Sequence, residues 1–128
     1  MKLRMLELFA GIAGLSLGAH ATGAIETVAF CEIEPYAVSV LQKRFPGVPV
    51  YGDIRELTAD RLRADGIWPI DIISGGFPCQ PFSSAGKRGG TSDDRYLWPQ
   101  MLRVIQEVRP PWVVGENVAG IISMAEPI

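Results

Sequence analysis

Cysteine, histidine and long apolar runs are what this chain has least of. It holds two cysteines, Cys31 and Cys79, and a single histidine, His20. Two thiols far apart in a chain make no disulfide framework, and their scarcity points to a reducing, cytoplasmic setting. With one histidine beside them, the donors for a zinc site are missing, so no metal is expected. No apolar run approaches the roughly 20 residues that a membrane span needs, so no membrane partner is expected. The opening residues Met1–Lys2–Leu3–Arg4–Met5–Leu6–Glu7 meet charge at once and lack the apolar core of a signal peptide. Positive charge is not in excess: 12 Lys and Arg stand against 14 Asp and Glu, a net −2. No global basic field announces nucleic acid, so such binding has to come from a local patch or from parts outside this chain. Also absent is the close Gly-x-Gly pair of a pyrophosphate-binding turn, which argues against a nicotinamide-dependent oxidoreductase. What is present is 128 residues with 48% apolar side chains, enough for one globular domain with a sizeable core.

Short apolar runs alternate with stretches of helical periodicity, the pattern of βαβ units and a parallel sheet. Strands are expected at residues 4–9, 25–31, 48–51, 69–74 and 112–115. Between the first two lies Gly11–x–x–Gly14–x–x–x–Gly18, a glycine-rich turn opening a short helix. Pro35 suits a first helical turn, with Val38, Leu41 and Phe45 recurring down one face. A turn or two of helix is expected over residues 57–65, and Leu97, Met101, Ile105 and Val108 mark another helix. From residue 75 to 94 the chain turns to Gly, Ser, Pro and charge, about 20 residues without periodicity, and loops of that length are functional or mobile.

In an open parallel α/β sheet, ligands bind outside the carboxyl ends of the strands. The notable residues fall there: Gly11 after the first strand, Glu32 after the second, Asp53 after the third, Cys79 after the fourth and Glu116 after the fifth. Glu32 is placed to accept hydrogen bonds from ribose hydroxyls. With a glycine turn poorly built for pyrophosphate, it suggests a nucleoside cofactor such as S-adenosylmethionine. The glycines alone serve helix–strand packing as readily as a ligand. Asp53 suits an adenine amino group and, equally, a helix cap or turn. Cys31, inside an apolar strand, reads as a small core residue, and His20, at the end of the first helix, as a surface or C-terminal residue rather than a catalyst. Cys79, held between Pro78 and Pro81, is a candidate nucleophile, with a buried structural thiol as its rival. It pairs with Glu116 if the fourth and fifth strands are neighbours.

Three segments, Leu8–Phe9–Ala10–Gly11–Ile12–Ala13–Gly14, Gly75–Gly76–Phe77–Pro78–Cys79–Gln80–Pro81–Phe82–Ser83 and Gly115–Glu116–Asn117–Val118, occur in that order. They resemble signature motifs of the C5-cytosine-specific DNA methyltransferases. Glu32 and Gly52–Asp53–Ile54 sit where that family's next cofactor-contacting motifs fall, and Asp93–Asp94–Arg95 resembles the segment after its mobile loop. The resemblance implies a Rossmann-like S-adenosylmethionine-dependent methyltransferase fold, an α/β architecture with an incomplete parallel sheet and helices on both faces. It implies transfer of a methyl group from S-adenosyl-L-methionine to C5 of a flipped-out cytosine in double-stranded DNA, through a covalent adduct on Cys79. S-adenosyl-L-homocysteine is the product. Glu116 would act at the cytosine N3, Pro78 would shape the pocket, and Asn117 would order the loop beneath Cys79.

On the cofactor side the resemblance implies Phe9, Ala10, Gly11, Ile12, Ala13, Gly14 and Leu15 around the methionine and sulfonium. Glu32 then takes the ribose, Ile33, Asp53 and Ile54 the adenine, and Gly76 and Pro78 complete the set. Ser83, Lys87, Arg88 and Arg95 would face DNA. Ala13 stands where the family usually has glycine, a small intrusion of one methyl. As expected from this reading, residues 1–128 form one partial catalytic domain. Its cofactor-binding half is 1–68, and its catalytic-loop half is 69–128, with a mobile loop at about 80–95. The family's later motifs and target recognition domain are not in this sequence. The alternative is therefore a truncated S-adenosylmethionine-binding module, or half of a split methyltransferase. Such a half would need a complementary C-terminal chain or self-association through its apolar last strand.

Overall fold

The structure is a computed structural model that describes residues 1–76 and 98–115. Five parallel strands form one sheet: β1 (Leu3–Leu8), β2 (Ile25–Cys31), β3 (Val50–Tyr51), β4 (Ile72–Gly75) and β5 (Trp112–Gly115), in the order β3-β2-β1-β4-β5. The chain winds outward from β1 to β3, then returns to place β4 on the other side of β1. That reversal puts the topological switch point between β1 and β4, where open α/β sheets hold their ligands. Among the described residues four α-helices connect the strands: α1 (Gly14–Ala21), α2 (Pro35–Arg44), α3 (Ala59–Ala64) and α4 (Trp98–Val108).

The register brings the strand ends level. Leu8 lies opposite Cys31 and Gly75, Cys31 opposite Tyr51, and Gly75 opposite Gly115. Five carboxyl ends therefore form a single row. Gly75 is fixed by packing, since a Cβ there would stand 3.0 Å from the Leu8 carbonyl oxygen and 3.3 Å from Met101 Cε. A larger residue there would have to push the Leu8 backbone back by a few tenths of an ångström.

Each sheet face is covered by its own cluster, as parallel strands require. On one face Leu6, Leu8, Ala29, Cys31 and Ile73 pack with Ile54, Leu57, Leu62, Met101, Val104 and Val108. On the other, Ala10, Ala13, Phe30 and Leu41 form a smaller cluster edged by Phe45, Val48 and Val50. Local sequence fixes the helix starts. Glu34 caps α2 by accepting the Ala37 N–H at 3.0 Å with Pro35 in the first turn, and Thr58 caps α3 by accepting the Arg61 N–H at 3.2 Å.

Several boundaries differ from the sequence expectation. β1 ends at Leu8 because Phe9 turns to φ 51°, the left-handed region. β3 shortens to two residues, with Val48 packed outside it against Phe30's cluster. β4 begins at Ile72 and reaches Gly75. The helix expected over 57–65 is α3, started by its Thr58 cap, and a 3-10 turn (Ile54–Glu56) that the sequence did not announce precedes it. In α4 the buried stripe is Met101, Val104 and Val108, with Ile105 at its margin; Leu97 lies outside the described residues.

Candidate cofactor cleft

Phe9, Gly11 and Ala13 all take positive φ, at 51°, 55° and 68°, within five residues after β1. Outside glycine this conformation costs about 1–2 kcal/mol per residue, and such strain gathers at ligand sites. The loop thus turns sharply off the end of β1 before α1 begins. No side chain caps α1 at Ala13. Ala13 itself is fully buried, so its departure from glycine is a matter of backbone conformation more than of an intruding methyl. A Cβ at Gly11 would meet no protein atom within 4 Å, leaving open space over the turn.

Glu32 leaves the end of β2 and is held by backbone donors on both oxygens. Gly11 N–H donates to Oε1 at 2.7 Å and Glu34 N–H donates to Oε2 at 2.8 Å. A carboxylate oxygen has further lone-pair capacity, so Glu32 stays able to accept from a pair of hydroxyls. Asp53 begins the 3-10 turn after β3. Its Oδ1 accepts from the Arg55 backbone N–H at 2.9 Å and from Arg55 Nε at 3.0 Å. The Arg55 guanidinium and backbone N–H hold its carboxyl below the ordinary value. Asp53 therefore does cap a turn, and it lines the cleft as well.

The cleft is lined by Phe9, Cys31, Glu32, Ile33, Gly52, Asp53, Ile54, Arg55 and Gly76. Its cavity volume is about 230 Å³, just under the ~300–1,000 Å³ usual for small-molecule sites. These residues follow β1, β2, β3 and β4, so the row of level strand ends is its floor. Cys31 is 2% exposed, and its thiol donates to the Gly52 carbonyl at 3.3 Å. Burial, with Glu32 and Asp53 adding negative charge, pushes that thiol up to about 12. Cys31 is an inert part of the wall, as its strand position suggests.

Of the thirteen residues assigned to a cofactor from sequence, Phe9, Glu32, Ile33, Asp53, Ile54 and Gly76 come together in this cleft. Ala10 and Ala13 instead turn their side chains into the core beside Phe30 and Leu41. Gly11 contributes through its N–H to Glu32, while Ile12 and Leu15 are exposed and Gly14 opens α1. Cys79, Glu116, Pro78, Asn117, Ser83, Lys87, Arg88 and Arg95, with the loop at about 80–95, lie outside the described residues. Sequence reasoning missed Arg55 as a lining residue, named Gly52 only within its motif, and took Cys31 for core alone. Each is within two positions of a residue it did name.

His20 sits half-buried in the last turn of α1, with its ring tied inward to β2. Its Nε2 accepts the Thr27 backbone N–H at 2.9 Å and lies 3.2 Å from Thr27 Oγ1. Thr27 Oγ1 is 2.6 Å from Ser16 Oγ, and Ser16 Oγ donates to Glu7 Oε1 in a short bond. Behind the cleft, then, a buried polar chain joins β1, α1 and β2. A backbone N–H only donates, so Nε2 carries the lone pair and the ring proton sits on Nδ1.

A parallel five-stranded sheet with a nucleoside-sized cleft across its strand ends defines a Rossmann-like α/β protein, and its neighbours narrow that class to methyltransferases. The fold matches a DNA modification methyltransferase encoded in an Escherichia coli prophage, with a TM-score of 0.77 and 33% identity over 94% of this chain and 33% of that one. It also matches the S. pombe Dnmt2 methyltransferase, at 0.74 and 26% identity over 97% of this chain and 38% of that one. A family model described as C-5 cytosine-specific DNA methylase matches residues 3–126, and the chain belongs to that family. Among curated relatives, the type II methyltransferase M2.BsuMI of Bacillus subtilis is 37% identical over 95% of this chain and 31% of its own length. The type II methyltransferase M.AquIA of a Picosynechococcus species is 40% identical over 98% of this chain and 52% of its own. The chain thus spans about a third to a half of the length of these relatives.

Proposed function

We propose that this chain carries the cofactor cleft and catalytic loop of a DNA (cytosine-5-)-methyltransferase, acting on double-stranded DNA in the cytoplasm. The observation that carries the reading is the cleft itself. Two carboxylates at its rim, Glu32 and Asp53, face apolar walls from Phe9, Ile33 and Ile54. The open space over Gly11 leaves room beside them for a short tail. These features fit S-adenosyl-L-methionine, a nucleoside without pyrophosphate. When bound, that cofactor supplies the methyl group. Glu32 holds the ribose, Ile33 and Ile54 enclose the adenine, and Asp53 accepts from its amino group.

The level ends of β4 and β5 support the catalytic half. Gly75 and Gly115 are register partners, so the segments that lead to Cys79 and Glu116 leave the sheet side by side. The Cys79 thiolate adds to C6 of a cytosine flipped from the duplex, and Glu116 holds the proton at N3 that favours this addition. C5 then becomes the nucleophile that is methylated. Loss of the C5 proton and expulsion of Cys79 release 5-methylcytosine. Lys87, Arg88, Ser83 and Arg95 contact the DNA backbone.

A second reading is favoured by β5. Trp112, Val113 and Val114 are 64%, 47% and 48% exposed, and among the described residues β5 pairs on one side only, with β4. Such an edge invites another strand. On that reading the chain binds its cofactor alone but turns over only with a complementary chain or a second copy on β5. Calorimetric titration of S-adenosyl-L-methionine into the folded chain is expected to show one saturable site that Glu32→Ala removes; a flat titration sinks both readings. Trapping on a duplex containing 5-fluorocytosine then separates them. Capture by the chain alone supports the complete enzyme, and capture only with a complementary C-terminal piece supports the split one. Capture that survives Cys79→Ser contradicts the assigned nucleophile.

A further inference from the structure

Arg103 lies on α4, away from the cleft, yet its guanidinium makes four contacts with four different residues, one of which, Ile54, lines the cleft. Nη2 donates to the Ile54 carbonyl at 2.8 Å, and Nη1 donates to the Leu57 carbonyl at 2.9 Å and to Glu107 Oε2 at 2.7 Å. Nε donates to Gln100 Oε1 at 3.1 Å. Glu107, one turn further along α4, accepts the Ala59 N–H on its other oxygen at 3.0 Å. The pair thus takes the Leu57 carbonyl at the exit of the 3-10 turn and the first N–H of α3, groups that a helix end leaves unpaired, and adds a second donor to the Ile54 carbonyl. Backbone bonds within the turn itself are few: Glu56 N–H to Asp53 and Leu57 N–H to Ile54. A turn so short owes its position to what grips it.

We propose that Arg103 is a positioning residue for the base-facing wall of the cleft. From α4 it fixes the backbone at Ile54 and Leu57, and so the attitude of Ile54 and Asp53 toward the bound base. The inference rests on the cofactor reading above. The planar fork of arginine spans both carbonyls while pairing with Glu107, and a lysine ammonium is too compact to do so. The buried stripe of α4, Met101, Val104 and Val108, sits in the same core cluster as Ile54 and Leu57, so the clamp has a rigid base.

The test uses two ligands that differ at the base alone, S-adenosylhomocysteine and its deaminated analogue S-inosylhomocysteine, titrated calorimetrically into the folded chain. Asp53 as acceptor favours the amino form. Arg103→Met is expected to weaken S-adenosylhomocysteine about tenfold, the scale of losing hydrogen bonds made by a charged group. More tellingly, it is expected to shrink the preference for the adenine form, and Arg103→Lys to restore little of it. A residue that only stabilises the fold lowers the number of binding-competent molecules and leaves that ratio untouched. Should Arg103→Met fail to fold, Glu107→Gln keeps an acceptor for Ala59 but releases the guanidinium, and a smaller shift in the same direction is expected. A folded variant of either kind with an unchanged ratio overturns the inference alone. If the unsubstituted chain binds neither ligand, or both equally, the reading of the cleft falls and the inference with it.

Discussion

Among the described residues two polar ties anchor helices, one on each face of the sheet, and they are built on opposite principles. On the α1 face, Glu7, Ser16 and Thr27 are 4%, 0% and 5% exposed and linked by short side chains, with His20 at the outer end. On the α4 face, Arg103 and Glu107 keep about a third of their side-chain surface in water and grip backbone groups of the turn and α3. Burial pushes the Glu7 carboxyl up, although the Ser16 hydroxyl and N–H draw it back. The Ala59 N–H and then the Arg103 guanidinium hold the Glu107 carboxyl below its ordinary value. Two glutamates within one small domain are thus shifted in opposite directions, because one lost its water and the other gained donors. The buried tie gives rigidity beneath the glycine turn at a cost in desolvation. The open tie avoids that cost and is correspondingly weaker.

Breaking the buried tie is expected to have the largest effect. Ser16→Ala removes the hydroxyl that donates to Glu7 and meets Thr27, leaving the buried carboxyl with the Ser16 N–H and the Thr27 hydroxyl with His20. A hydrogen bond to a charged group contributes about 1.5–3 kcal/mol, so a loss of about 2 kcal/mol is expected in urea denaturation. A loss below about 1 kcal/mol would mean that the chain of hydroxyls contributes little and the comparison is overdrawn.

Neither tie was legible from the sequence, whereas most of the frame was. The alternation of apolar runs and helical spacing placed β2 and β5 at their observed bounds and put Glu32 and Asp53 at strand ends beside the cleft. Those features follow from local pattern. What escaped depends on which residues meet across the sheet. Glu7 reads as one charge in an apolar strand, and only the packing of α1 shows that it faces Ser16. Arg103 and Glu107 read as a solvated i, i+4 pair, since nothing local says that residues 54–59 lie beneath them. Phe9 ends β1 one residue early through its positive φ, which no apolar periodicity reveals. The signal available for Glu7 was its burial-prone neighbours: a carboxyl between Leu6 and Leu8 has to find donors.

The pH dependence sharpens the contrast. A folded-state pKa raised above the unfolded value near 4.5 means that folding binds the Glu7 proton more tightly. Its favourable contribution is complete below the unfolded value and is lost as pH rises through the folded one. Glu7→Gln keeps an oxygen to accept from Ser16 and carries no charge at any pH. Denaturant midpoints measured from pH 4.5 to 8 are therefore expected to gain on the parent as pH rises. A stability difference between variant and parent that stays level across that range would place the Glu7 carboxyl in a better-solvated setting than the sheet allows.

Glu107 gives the opposite sign and the smallest effect. Its folded-state pKa lies below the ordinary 4.5, so its contribution is present above that value and fades as pH falls through the folded pKa. Glu107→Gln keeps an oxygen for the Ala59 N–H and removes the ion pair with Arg103. With both partners about a third exposed, screening by water limits the loss at neutral pH to under about 1 kcal/mol. Below the folded pKa the parent's own carboxyl is neutral, so the two proteins should converge there in acid. Salt acts in the same direction, because the Arg103–Glu107 attraction is screened and the buried tie is not. Raising ionic strength at neutral pH should therefore narrow the gap between Glu107→Gln and parent while leaving the deficit of Ser16→Ala in place. The two ties separate on this point: one responds to the solvent around it, and the other has been shut away from it.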